Sequence, residues 1–139
     1  MFIWSNLEVK RTKFYKKKKI LNKGVALIYG KYGLKVLENG FLYIHQIEAI
    51  FKVLKKIGKP FKKKLKIWIP IVPNLLLTKK PIATRMGRGK GKADTKVVFI
   101  QKGKIILEWS GIPFILVQNA LHKISKKMPF LGKLVLHSL

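Results

Sequence analysis

Between Val25 and Tyr43, short apolar runs are broken by Gly30, Gly33 and Gly40, a pattern that predicts short strands joined by tight turns. The period then changes. Ile47, Ile50, Phe51, Leu54 and Ile57 recur at helical spacing, while Lys52, Lys55, Lys56 and Lys59 fall on the other side. That predicts an amphipathic helix from near Ile44 to Ile57, with Glu48 supporting its first turn and Gly58 and Pro60 ending it. Period two returns where Leu65, Ile67 and Ile69 alternate with Lys66, Trp68 and Pro70, a strand stopped at the proline. Val97 to Gln101 and Lys104 to Trp109, joined through Lys102 and Gly103, predict a β-hairpin. Pro113 is placed to open a second helix whose buried stripe is Phe114, Val117, Leu121, Ile124 and Met128. Pro129 closes that helix, and Leu134 to Leu136 form a last short strand. Strands and helices interspersed in this irregular order make the fold α+β, a mostly antiparallel sheet with two helices packed on it.

Two segments do not fit this pattern. Residues 1–22 form a basic arm in which Phe14 and Tyr15 precede Lys16, Lys17, Lys18 and Lys19, a run too repulsive to fold without counter-charge. In the second, Gly87, Gly89 and Gly91 alternate with Arg88, Lys90 and Lys92, just after Arg85 and Met86. Glycine there lets backbone lie close to a ligand, and the cations between supply charge at each step. The chain therefore divides into an arm, 1–22, and one α+β domain, 23–139, from which a loop of residues 81–95 protrudes.

Charge turns this pattern into a function class. Against 5 acidic residues stand 31 basic ones, a net +26 on 139 residues, spread along the whole length rather than gathered in a tail. A compact fold of that charge repels itself and calls for a polyanionic partner. With 48% hydrophobic residues it is nevertheless a folding chain and not a polybasic tract. The stretches without charge, Ile67 to Thr78 and Trp109 to His122, are shorter than the roughly 18 residues that span a bilayer, so no membrane insertion is expected. Cysteine is absent, which excludes disulfides and thiolate metal sites. The first eight residues form neither a signal peptide nor an Arg/Ser-rich transit peptide. All the basic residues except Arg11, Arg85 and Arg88 are lysines, in a chain rich in Ile and Phe. Those residues have A/T-rich codons, which points to an organelle genome or an A/T-rich bacterium.

Catalytic and cofactor chemistry finds no footing. A P-loop needs Ser or Thr after Gly91-Lys92, where Ala93 stands, and the dinucleotide pattern has Lys92 in place of its third glycine. Glu8, Glu38, Glu48, Asp94 and Glu108 are scattered rather than paired for acid/base work. His45, His122 and His137 lack metal-ligand spacing, and Ser110 lacks a nucleophile elbow. No enzyme activity, cofactor or metal is expected. Aromatic residues interleave with the bases at Phe14, Tyr15, Tyr29, Tyr32, Tyr43 and Trp68, as in proteins that hold single-stranded RNA by stacking. Trp68 is assigned to the core. Tyr32, beside Lys31 and between two turn glycines, is the best stacking candidate.

In order along the chain, several segments resemble the bacterial-type large-subunit ribosomal protein L-sixteen family, which includes the archaeal and eukaryotic L-ten-e proteins. They are Lys10-Arg11-Thr12-Lys13-Phe14, Gly30 to Lys35, Gln46 to Ala49, Lys66 to Ile69, Arg85 to Gly91, Gly111 to Pro113 and Lys127 to Pro129. The Arg-Met-Gly-x-Gly-Lys-Gly loop is the most specific of these. The resemblance implies a structural protein on large-subunit rRNA beneath the central protuberance, beside the aminoacyl-tRNA site. Its partners would be rRNA, tRNA and neighbouring large-subunit proteins, and it would join late in assembly. RNA contacts are expected from Lys10, Arg11, Lys13, Lys16, Lys17 and Lys18 in the arm, and from Lys31, Tyr32 and Lys35 in the first turn. The loop would add Arg85, Met86, Gly87, Arg88, Gly89, Lys90, Gly91 and Lys92. This chain departs from the family at Tyr43, where a capping hydroxyl is usual, at Pro70, and at Phe114 and Ile115, which replace acids. That drift, with the lysine bias, suits a mitochondrial ribosome better than a plastid or bacterial one. The competing reading is a non-ribosomal RNA-binding or ribosome-assembly factor.

Overall fold

The computed structural model describes residues 10–11, 26–87 and 89–137, the first pair by backbone alone. In chain order the elements are β1 (Lys10–Arg11), β2 (Tyr32–Val36), β3 (Gly40–Tyr43), α1 (Ile44–Ile57), a 3-10 turn (Lys59–Phe61), β4 (Lys66–Trp68) and β5 (Leu75–Lys79). There follow β6 (Lys92–Ile100), β7 (Ile105–Ser110), α2 (Phe114–Ser125) and β8 (Gly132–Leu136). The fold is α+β, but the strands divide between two four-stranded sheets, ordered β1-β5-β6-β3 and β4-β7-β2-β8. Every pairing is antiparallel except β1 with β5.

α1 occupies the span its apolar period predicts and buries Ile47, Ile50 and Leu54, with Phe51 and Ile57 half-buried. Its N-terminus is held by Gln46, whose Oε1 accepts the Tyr43 backbone N–H at 3.0 Å. Glu48 lies beyond the first turn, which contains no acid, so the support expected from it comes from Gln46 instead. Lys55 and Lys56 in the last turn face the negative end of the helix dipole. Pro113 stands at the cap of α2 just before Phe114, and the helix buries Val117, Ala120 and Ile124. Leu121 and Met128 are only partly buried, and Phe114 turns outward, 44% exposed. The helix ends at Ser125, short of Pro129.

One hydrophobic cluster joins both sheets and both helices, with Leu34, Val36, Leu42, Leu54, Ile100, Trp109, Val117 and Ile124 at or below 1% exposure. Each such side chain contributes about 1.5–3 kcal/mol by leaving water. β7 is buried along nearly its whole length, paired between β2 and β4 with apolar side chains in the common cluster.

The expected hairpin from Val97 to Trp109 does not form. Its turn does: Lys104 N–H donates to Gln101 O at 3.2 Å, and Gly103 has φ +88°. The strands it joins then separate, β6 to pair with β3 and β5, β7 to pair with β2 and β4. The β2–β3 connection crosses between the sheets at the same corner. There Lys102 N–H donates to Asn39 Oδ1 at 2.6 Å, and Gly103 N–H donates to Val36 O at 2.7 Å. A turn motif fixes a local reversal; burial on both faces of β7 decides its partners. β6 also begins at Lys92 rather than Val97, paired with β5, a strand the apolar pattern does not signal.

Candidate nucleic-acid interface

β5 and β6 form a long antiparallel hairpin whose last pair is Lys79 with Lys92, and residues 80–91 connect them. The expected loop of residues 81–95 is therefore shorter, because Lys92 to Thr95 are strand. Its glycines fall into two kinds. At Gly91 a Cβ would come 2.7 Å from the backbone C and O of Lys79, so glycine lets the two strand ends meet. At Gly87 and Gly89 a Cβ would meet nothing within 4 Å, yet φ is +108° and +73°. Those two need glycine for backbone conformation, with open space on the side a Cβ would occupy.

The loop begins with a turn in which Thr84 N–H donates to Pro81 O at 3.3 Å and Ala83 has φ +66°. Arg85, Met86, Gly87, Gly89, Lys90 and Lys92 are all exposed, and Gly91 is half-buried at the hairpin's end. Arg88 lies outside the described residues. Met86 and Ile82 are 98% and 96% exposed, two apolar side chains held out among cations. Such a tip offers ring faces and hydrophobic edges a contact as well as phosphates a charge, and Ile82 was no part of the sequence expectation.

The first-turn candidates separate. Lys31 is exposed and Lys35 half-buried. Tyr32 is 6% exposed, with ring centroids 6.3 Å from Trp109 and 6.5 Å from Phe114. It sits on β2 between β7 and β8, opposite Trp109 and Leu136, so its ring is core and has no face for a base. Lys31 Nζ lies 5.9 Å from that ring.

Among the described residues Tyr29 is a more exposed ring, 58% exposed and stacked on Trp68 at 6.2 Å with an interplanar angle of 19°. A buried acid holds it there. Glu108, 1% exposed on β7, accepts the backbone N–H of Tyr29 at 2.7 Å and of Gly30 at 2.8 Å on Oε2. Ile28 N–H adds a longer bond at 3.2 Å. Gly30 must be glycine because a Cβ would come 2.8 Å from Trp109 N. The clamp was not legible in the sequence because its partners are 78 to 80 residues apart.

A third basic face lies along α1 and beyond it, where Lys52, Lys55, Lys56, Lys59, Lys62, Lys63, Lys64 and Lys66 are all exposed. Of the arm candidates, Lys10 and Arg11 are placed by backbone, paired with Leu75 and Leu76. Lys13, Lys16, Lys17 and Lys18 lie outside the described residues. Among the described residues no three His, Asp or Glu side chains are grouped to hold a metal, and no helix is long and apolar enough to cross a membrane. What the described surface does present is cation, backbone and ring face, the chemistry that grips a nucleic-acid strand. The sequence model of one protein family, described as ribosomal protein L16p/L10e, matches residues 9–135 of the 139.

Proposed function

Since the chain belongs to the ribosomal protein L16p/L10e family, a structural and non-enzymatic part of the large ribosomal subunit, we propose that it supports the aminoacyl-tRNA site. In this reading the body and its lysine faces seat on large-subunit rRNA beneath the central protuberance. The loop of residues 80–91 reaches toward the peptidyl-transferase region and the tRNA, and the chain joins the subunit late in assembly. One observation carries the reading: the loop leaves the end of the β5–β6 hairpin with Arg85 exposed, Met86 98% exposed, and open space where a Cβ on Gly87 or Gly89 would lie. A cation, an apolar side chain and close-approaching backbone presented together offer contacts to a nucleic-acid strand. The lysine-over-arginine bias supports a mitochondrial ribosome as the location.

The test is Arg85→Lys, which keeps charge but loses the planar fork that grips two phosphate oxygens or stacks on a base. Particles carrying it should assemble, hold the chain through a high-salt wash, and bind aminoacyl-tRNA several-fold more weakly. Gly89→Val, which strains a positive φ, should be worse. Wild-type tRNA binding and peptide formation by both variants would remove the tRNA role and leave the rRNA scaffold. Loss of the wild-type chain from large subunits in the same wash would favour a visiting assembly factor.

A further inference from the structure

The second half of α1, the 3-10 turn and the entry to β4 enclose a cleft of about 480 Å³, lined by Phe51, Lys55, Lys62, Leu65 and Ile67. Its floor is apolar and partly covered, since Phe51, Leu65 and Ile67 are half-buried, and its rim is the exposed pair Lys55 and Lys62. Lys55 Nζ stands 4.5 Å from the Phe51 ring centroid, within cation–π reach. Around the rim lie Lys52, Lys56, Lys59, Lys63, Lys64 and Lys66, all exposed, and no acid occurs from residue 49 to residue 66.

We propose that this cleft receives one unstacked nucleobase of the large-subunit rRNA, with its ring on Phe51 and its flanking phosphates on Lys55 and Lys62. The inference rests on the reading of the chain as rRNA-bound. The volume falls in the range of sites that enclose a small planar molecule, about 300–1,000 Å³. The lining side chains supply one ring face, two aliphatic side chains and two ammonium groups, which matches a planar base flanked by phosphates. A base needs only a ring face, and stacking of this kind tolerates any base. Before RNA arrives, the Lys55 ammonium covers the ring. On binding it turns to a phosphate and the base takes its place.

Ultraviolet cross-linking of purified large subunits, followed by mass spectrometry of the digested chain, should find a nucleotide adduct on residues 51–62. Phe51→Leu keeps the helix and the apolar volume but removes the ring. In particles built with that variant, the adduct at Lys55 or Lys62 should fall about tenfold, the effect of one lost base stack. Adducts on residues 80–91 and the amount of chain per particle should stay unchanged. In solution, Phe51→Leu should weaken binding of an eight-residue single-stranded ribo-oligonucleotide about tenfold. It should leave binding of the abasic version unaltered. Adducts elsewhere but none on residues 51–62 would overturn the cleft while leaving the rRNA seat intact. No rRNA adduct anywhere on the chain would overturn both. Cross-links from the cleft to a protein neighbour, or equal loss with both oligonucleotides, would assign the cleft to a protein contact or to packing.

Discussion

Removing the Glu108 carboxylate should unhinge the segment that presents Tyr29. The carboxylate accepts three backbone N–H groups, at 2.7 Å from Tyr29, 2.8 Å from Gly30 and 3.2 Å from Ile28. Of these only the Gly30 bond is fully buried, so in Glu108→Ala that N–H loses a charged partner with no water to replace it. A buried donor stranded this way costs about 2–3 kcal/mol. Tyr29 and Ile28 are exposed residues whose N–H groups can recover water, and each bond then contributes about 0.5–1 kcal/mol. The sum is a loss of about 3–5 kcal/mol. Urea unfolding followed by tryptophan emission, at about 1.5 kcal/mol per molar, should show a midpoint lower by about 2–3 M. Glu108→Gln keeps one acceptor oxygen and the shape, and should cost about 1–2 kcal/mol. With Trp4 and Trp109 replaced by Phe, acrylamide should also quench Trp68 more readily when Glu108→Ala is added, because Tyr29 no longer stays stacked on it. A loss below 1 kcal/mol for Glu108→Ala, or equal losses for both variants, would show that the three hydrogen bonds do not hold the segment.

Gly91→Val should destabilise the hairpin by at least about 2 kcal/mol, because its Cβ would meet the Lys79 carbonyl at 2.7 Å. Gly87→Ala, with space around it and only backbone strain, should cost about 1 kcal/mol; the reverse order in urea unfolding would refute the distinction. In the isolated chain, amide exchange should be fast at Ile82, Met86 and Gly87 and slow at Val97, Val98 and Ile100, whereas equal protection would mean the loop is already ordered. Affinity for isolated large-subunit rRNA fragments should fall about 10³–10⁵-fold between 50 and 200 mM salt if 6–10 phosphates are neutralised, and a flat dependence would mean the +26 charge serves something else.

The parts legible in the sequence are those whose cause is local. α1 begins and ends where its apolar period and Gly58 place it, because every determinant lies within fifteen residues. The glycine loop is legible for the same reason: alternating glycine and cation cannot pack on anything of its own. β5 is different. Leu75-Leu76-Leu77 shows no alternation, and its pairing with β6 is what makes it a strand. The turn at Lys102 and Gly103 reads as a hairpin, but the partners of β7 are chosen by a core assembled from both ends of the chain. Tyr32 is exposed by its sequence neighbours and buried by β8, which lies about a hundred residues away. Glu108 reads as a stray acid until the fold brings three N–H groups to it. Propensity and period describe a segment, whereas pairing and burial are decided between segments.

The central claim is that the loop of residues 80–91 meets tRNA at the aminoacyl site while the body stays on rRNA. Met86 is 98% exposed at the tip, so a photoreactive side chain can replace it without disturbing the core. Ribosomes carrying that replacement, programmed with message and irradiated with the aminoacyl site filled or empty, give the most direct reading. The account predicts cross-links to aminoacyl-tRNA, replaced by cross-links to rRNA of the peptidyl-transferase region when the site is empty. Cross-links that fall only on ribosomal proteins, and do not change with tRNA, would contradict it.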